Sequence, residues 1–107
     1  MATNLELHVS VKDDPQSNLV TSGEVYKVRG ANPTVDLVVT HVIVSQFQNN
    51  RFALDAGSYE YRFHVERSGG QFTLKLMNRD KNNEKVASDD FDTALGFEHK
   101  AHEFEVK

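Results

Sequence analysis

The feature that most constrains this chain is a strict alternation of apolar and polar residues over short stretches. In residues 59–66 every odd position is apolar and every even position is polar, and residues 5–11, 72–76 and 103–107 alternate in the same way. Successive side chains of a β-strand point to opposite faces, so this period of two gathers the apolar side chains on one face. Each of these stretches is therefore predicted to be a half-buried strand.

The composition favours the same class of fold. Thirty of the 107 residues are Val, Ile, Phe, Tyr or Thr, whereas Ala, Leu and Met together number 17. Branching at Cβ and aromatic bulk restrict side-chain rotation in a helix but pack well across neighbouring strands. A chain of this length forms one hydrophobic core, so we predict a single β-sandwich domain spanning residues 1–107.

Residues 35–47 form the longest apolar run of the chain. Both its odd and its even positions are largely apolar, which is typical of a central strand covered on both faces, or of a strand that bends between two sheets. The run exceeds the usual strand length of about five or six residues, so a bulge or bend is expected near residues 40–42. A buried helix is the alternative, but the many β-branched residues disfavour it. On this interpretation His41 is a hydrogen-bonded histidine of the core.

Further short strands are predicted at residues 24–29, 52–54 and 85–88, bounded by Gly, Pro, Asn and Asp residues that favour turns. The segment 67–70, Arg-Ser-Gly-Gly, separates two alternating stretches and predicts a β-hairpin between them. About seven or eight strands with turns between them predict an all-β fold, an antiparallel β-sandwich or a small barrel.

One stretch resembles a known structural corner. Asp55, Gly57 and Tyr59 lie in an Asp-x-Gly-x-Tyr pattern that resembles the strand-F signature of immunoglobulin-like sandwiches. The resemblance implies an immunoglobulin-like antiparallel β-sandwich in which the Tyr59 hydroxyl bonds back to nearby backbone. Tyr61 stands where that family usually has a cysteine, and the chain has neither cysteine nor tryptophan.

The wider stretch 54–63 also resembles the Leu-x-x-Gly-x-Tyr-x-Tyr-Lys-Phe phrase of glycogen- and starch-binding modules, which share that architecture. This resemblance implies a carbohydrate partner, held in those modules by tryptophans that stack on sugar rings. Here tyrosines would have to replace them. Tyr59 and Tyr61 fall in register with the predicted core face, so Tyr26 is the candidate ligand-binding residue.

A polar loop carries the most specific chemical pattern in the chain. Oxygen-bearing side chains fall at positions 1, 3, 5, 7 and 12 of the stretch 78–89, a spacing typical of a calcium loop. They are Asn78, Asp80, Asn82, Glu84 and Asp89. Oxygen ligands two residues apart converge on one hard cation when the backbone wraps it. An ordinary solvated loop is the alternative. Calcium is the one cofactor that the sequence suggests.

Other chemistry finds little support. No Gly-x-Ser-x-Gly elbow, phosphate-binding loop or cysteine is present, so we predict that the protein is not an enzyme, with a small hydrolase as the least supported alternative. His99 and His102 are three residues apart and would lie on opposite faces of a strand, which disfavours a zinc site. The net charge of −4 and the absence of a basic stripe argue against nucleic acid as a partner.

The remaining possibilities concern binding. No run approaches the roughly 18 apolar residues of a membrane span, and no secretory signal pattern is present, so the cytoplasm is the default location and a mature secreted form is also compatible. We predict an interaction or assembly module that binds a protein partner or forms a homo-oligomer through sheet edges or loop ends. The alternative is a module that binds carbohydrate or calcium.

Overall fold

The structure, a computed structural model, describes residues 2–12, 16–29, 34–66, 70–92 and 100–107. The described residues form eight strands and one short 3₁₀ helix, which confirms the predicted all-β class. The elements are β1 (Thr3–Val11), β2 (Val20–Arg29), β3 (Thr34–Ser45), β4 (Asn50–Leu54), β5 (Gly57–Glu66), β6 (Gln71–Asn78), the 3₁₀ helix Arg79–Lys81, β7 (Glu84–Asp92) and β8 (Lys100–Val106).

The strands form two antiparallel sheets of four strands each. Sheet 1 has the order β4-β1-β6-β7, and sheet 2 has the order β3-β2-β5-β8. Only the β2–β3 and β6–β7 connections join neighbours within one sheet, and every other connection crosses between the sheets. Two such sheets pack their apolar faces together and form the sandwich that the alternation predicts.

The apolar positions of the alternating stretches face the interior. In β5 the odd residues from Tyr59 to Val65 are buried, and in β6 Phe72 and Leu74 are buried as well. Phe63 lies at the centre, with its ring centroid 5.2 Å from that of Phe91 on the other sheet in an edge-to-face contact. Aromatic pairs in this geometry stabilise a core beyond the area that they bury.

The predicted hairpin between residues 59–66 and 72–77 is wrong. β5 pairs with β2 and β8 in sheet 2, whereas β6 pairs with β1 and β7 in sheet 1. The two apolar faces meet across the sandwich instead, with the rings of Phe63 and Phe72 6.2 Å apart. Alternation determines which face of a strand is apolar, but it does not distinguish pairing side by side from packing face to face. The glycine loop at 67–69 lies outside the described residues.

The prediction that residues 35–47 form a central strand is also wrong, because β3 is an edge strand of sheet 2. The predicted bulge near residues 40–42 is confirmed. The register against β2 shifts twice, and His41 has a φ of 55°. Each extra residue reverses which positions face inward, so Val39, Val42 and Val44 face the core while Leu37 and Ile43 are exposed. The odd and the even positions of the run are both apolar because the bulges change the alternation, not because both faces of β3 are covered.

The bulge also overturns the prediction that His41 belongs to the core. The His41 side chain is exposed. Its left-handed backbone conformation marks the residue at which β3 departs from regular pleating. A position chosen from the alternation alone is therefore misassigned when an extra residue precedes it.

Two tyrosine hydroxyls of β5 bond to backbone carbonyls. Tyr59 donates to the carbonyl of Asp55 at 2.7 Å, the bond that the sequence predicts for this corner. The hydroxyl of Tyr61 donates to the carbonyl of Val42 at 2.7 Å and lies 3.1 Å from the hydroxyl of Thr21. Burial raises the pKa of Tyr61 above its usual value, so this hydroxyl stays neutral. It links β5 to the bulged segment of β3.

We expect Tyr61→Phe to lower the free energy of unfolding by about 1–3 kcal/mol, because it leaves the carbonyl of Val42 without its buried donor. Tyr59→Phe is the matched control. It also removes one hydroxyl, but Asp55 is exposed and water replaces the lost donor, so about 1 kcal/mol or less is expected. Urea unfolding measures both values. Equal losses in the two variants would contradict the role assigned to the buried hydroxyl.

A close approach of two backbones requires glycine at position 23. A Cβ atom at Gly23 would lie 1.9 Å from the carbonyl oxygen of Arg62 on the neighbouring strand β5. Real Cβ atoms do not make such contacts, and the backbone atoms cannot rotate away as a flexible side chain could. β2 and β5 therefore have to separate if any side chain is added here.

We expect Gly23→Ala to lower the free energy of unfolding by about 2 kcal/mol or more. The adjacent Ser22→Ala serves as the control, since Ser22 tolerates loss of its hydroxyl and should stay within about 0.5 kcal/mol of the parent. Chemical denaturation of the two variants provides the comparison. Unchanged stability of Gly23→Ala would show that the strands do not approach as closely as described.

Candidate functional site

The large exposed apolar side chains of the described residues all lie on β3 or in the turn after it. The exposed fractions are 50% for Leu37, 42% for Val38, 41% for Ile43 and 67% for Phe47. We call these four residues the apolar edge. Isolated exposed apolar residues are ordinary, but their concentration along one edge strand is typical of an interaction surface.

Leu37 and Ile43 continue onto the outer face of sheet 2. Leu37 pairs with Tyr26 on β2, and a surface groove of about 630 Å³ opens beside the bulge, lined in part by Tyr26 and His41. The guanidinium of Arg62 lies over the ring of Tyr26, 4.9 Å from its centroid, and also pairs with Glu60. Tyr26 is half-buried, and the cation covers one face of the ring that a sugar would need.

The same outer face carries an excess of negative charge. The register places five carboxylates on it against two basic groups, the guanidinium of Arg62 and the imidazole of His64, which lies 2.8 Å from Glu66. The carboxylates are Glu24, Glu60, Glu66, Glu103 and Glu105. Glu60 lies directly opposite Glu103 on β8. Like charges in directly opposite positions of a sheet are unfavourable, and Arg62 pairs with only one of these two carboxylates, that of Glu60.

On the outer face of sheet 1, the carboxylate of Glu6 has several basic partners. Glu6 is almost buried there, with His8 at 2.6 Å, Arg51 at 2.5 Å and Arg79 at 3.9 Å from its carboxylate oxygens. Burial alone would raise the pKa of Glu6, but the hydrogen bonds and charges of Arg51 and His8 outweigh it and lower the pKa below the usual value. The two faces of the sandwich therefore differ in electrostatic character.

The predicted calcium loop forms the connection between β6 and β7. The side chain of Asn78 accepts from the backbone N–H of Asp80 at 2.9 Å and caps the 3₁₀ helix. Both carboxylate oxygens of Asp80 accept from Asn4, and these bonds, above all that from the backbone N–H, lower the pKa of Asp80. Asn82 adopts a left-handed conformation with a φ of 54°.

The structure brings Asn78 and Asp80 together but not the whole predicted set. Glu84 is exposed and opposite Asn78, whereas Asp89 lies farther along β7, opposite Leu74. Within the described ranges no cluster of three or more His, Asp or Glu side chains has a geometry that could hold a metal ion. Two further acidic residues that could have joined Asp89, namely Asp13 and Asp14, lie outside the described residues.

Asp89 has a different partner, His102 of β8. The Nδ1 atom of His102 lies 2.6 Å from a carboxylate oxygen of Asp89, so the ring donates this proton and links the edge strands of the two sheets. The ring is fully buried, beside Phe104 and opposite Tyr61, and its Nε2 atom has no hydrogen-bond partner among the described residues. Burial lowers the pKa of His102, although the charge and hydrogen bond of Asp89 act in the opposite direction.

This pair was missed in the sequence, although a signal for it exists. If the predicted strand 103–107 is extended backward by one residue, His102 falls on the same face as Phe104 and Val106. A histidine on an apolar face needs a partner inside the protein. The apolar edge was missed because the whole run 35–47 was assigned to the interior.

Comparison of the chain with protein-family models, with curated proteins and with solved structures found no match. In the part of the chain that the structure describes, no helix is long and apolar enough to cross a membrane. The fold and the geometry of the two outer faces are therefore the basis for any functional proposal.

The buried histidine predicts how stability depends on pH. Since the folded protein lowers the pKa of His102 below its usual value near 6.5, the unfolded chain binds more protons, and stability is lost as the pH falls through that region. One such group contributes a slope of up to about 1.4 kcal/mol per pH unit.

We expect His102→Phe to reduce the loss of unfolding free energy between about pH 7.5 and 5.5. The exposed His41→Gln is the control and should keep the parent slope in urea unfolding. If both variants lose stability with acid as the parent does, His102 is not the responsible group.

Proposed function

We propose that this protein is a non-enzymatic interaction module that binds a protein partner through the apolar edge and the adjoining outer face of sheet 2. The concentration of Leu37, Val38, Ile43 and Phe47 on one edge strand carries this proposal. A large apolar side chain is stabilised by about 1.5–3 kcal/mol when it is fully buried, so covering these side chains favours association.

The bulges of β3 decide how a partner would bind. An unpaired edge strand offers backbone N–H and C=O groups to an added strand, but two register shifts interrupt the regular spacing of those groups along β3. A long added strand is therefore disfavoured. Docking onto the side chains of Leu37, Ile43 and Tyr26 is favoured, because these three share the outer face of the sheet.

We also propose that the sandwich is immunoglobulin-like. The Tyr59 hydroxyl bond to Asp55 supports this, as does the position of β5 between β2 and β8 in sheet 2. In that architecture strand F carries the tyrosine corner and lies between strands C and G of one sheet. This relation is an analogy of fold, and the function rests on the exposed side chains.

Site-directed photo-crosslinking tests the binding surface. A benzoylphenylalanine placed at position 37 or 43 is expected to give the same discrete cross-linked species in an extract of the source organism, or a cross-linked homo-oligomer in the purified protein. The control places the same group at Lys75, which is exposed on the outer face of sheet 1. Mass spectrometry of the cross-linked species identifies the partner.

Two results would count against the proposal. Species that form equally well from position 75 would show that contact is not confined to sheet 2. A purified protein that stays monomeric, gives no site-dependent species and instead binds a small ligand saturably would favour the carbohydrate- or calcium-binding alternative.

A further inference from the structure

We infer that the partner is a cationic protein element, with lysine or arginine side chains beside an apolar row, and not a second copy of this chain. This inference rests on the proposed function, because it concerns the chemistry of the partner at the same surface. The inference rests on the arrangement of charge on the outer face of sheet 2, next to the apolar edge.

Three of the five glutamates on this face, Glu24, Glu103 and Glu105, have no basic partner among the described residues. Glu24 lies on β2, next to the apolar edge, and Glu103 and Glu105 lie on β8 at the far side of sheet 2. Within the described ranges, no lysine, arginine or histidine forms an ion pair with any of these three. The guanidinium of Arg62 is occupied by Glu60 and by the ring of Tyr26.

The facing carboxylates make a cationic partner favourable for a second reason. In the free protein Arg62 pairs with Glu60 but not with Glu103 on the opposite strand, so a positive charge over this pair of carboxylates is favourable. Complementary charge of this kind speeds association and selects among partners, while burial of the apolar edge supplies affinity.

The same charges argue against self-association through this face. A two-fold interface brings one surface patch against itself, so a dimer through this face would gather two sets of glutamates in one interface and supply no cation to either. Like charges brought together in an interface disfavour the complex. A partner with the opposite charge avoids this cost.

The dimensions of sheet 2 indicate how wide the partner element has to be. Neighbouring strands lie about 4.8 Å apart, so the row of Leu37 and Ile43 is roughly 14 Å from the glutamates of β8. An α-helix with its side chains is about 10–12 Å wide, and a β-hairpin has a similar width. An amphipathic element with apolar residues on one flank and basic residues on the other therefore covers both features.

Peptide binding tests the charge preference. The probes are two fluorescein-labelled amphipathic helical peptides of equal length that share one row of Leu at every third or fourth position. The row beside it is Lys in one peptide and Glu in the other, and both are titrated with the protein at about 50 mM and about 300 mM NaCl. Fluorescence anisotropy is expected to show at least roughly tenfold tighter binding of the lysine peptide at low salt, and a smaller preference at high salt.

Matched variants locate the binding. The double variant Glu103→Gln with Glu105→Gln is expected to weaken binding of the lysine peptide by roughly threefold or more. The control, Asp90→Asn with Asp92→Asn, makes the same change of charge on the outer face of sheet 1 and should leave the affinity unchanged. Leu37→Ser should weaken binding at both salt concentrations.

Each of three outcomes overturns the inference: equal binding of the two peptides, equal loss of affinity in the two charge variants, or a cross-linked homo-oligomer from position 37 or 43 in the purified protein. If cross-links form at positions 37 and 43 while the lysine peptide fails to bind preferentially, the interaction surface stands and only the cationic partner is rejected. If the cross-links fail as well, both proposals are rejected.

Discussion

The contact on which the structure depends is that between Phe63 and the rings of the opposite sheet. Phe63 stacks on Tyr61 within sheet 2, with ring centroids 4.9 Å apart, and its ring meets the edges of Phe72 and Phe91 in sheet 1. Because these rings meet at the centre of the sandwich, β5 has to face sheet 1 instead of pairing with β6. The inner faces are then fully used, and each outer face is free to differ in composition.

The predictions from sequence succeeded where the physical cause is local. Alternation identified the strands at 5–11, 59–66 and 103–107, since the period of two is a property of each strand by itself. It failed for the hairpin at 67–70 because the choice of neighbour depends on contacts between residues far apart in the chain. The bulge in β3 was predicted from strand length, but its consequence for His41 was not, because one extra residue reverses every later side chain.

The same difference between local patterns and contacts distant in the chain applies to the candidate site. The acidic and apolar residues are visible in the sequence one by one, yet the facing pair of Glu60 and Glu103 arises only from the register of β5 against β8. The buried pair of His102 and Asp89 likewise requires that the edge strands of two sheets meet. Spacing along the chain instead grouped Asp89 with the loop before β7, although Asp89 lies well inside that strand.

The apolar edge and the acidic face are both unfavourable for the isolated protein, for different reasons. Exposed Leu37 and Ile43 promote association of any kind, including aggregation, whereas the glutamates of the same face repel further copies of the chain. The bulges in β3 also disfavour association between copies of the chain, because an irregular edge is a poor template for another β3. Apolar exposure therefore remains compatible with a dispersed protein, and the surface stays open to a partner that brings the opposite charge.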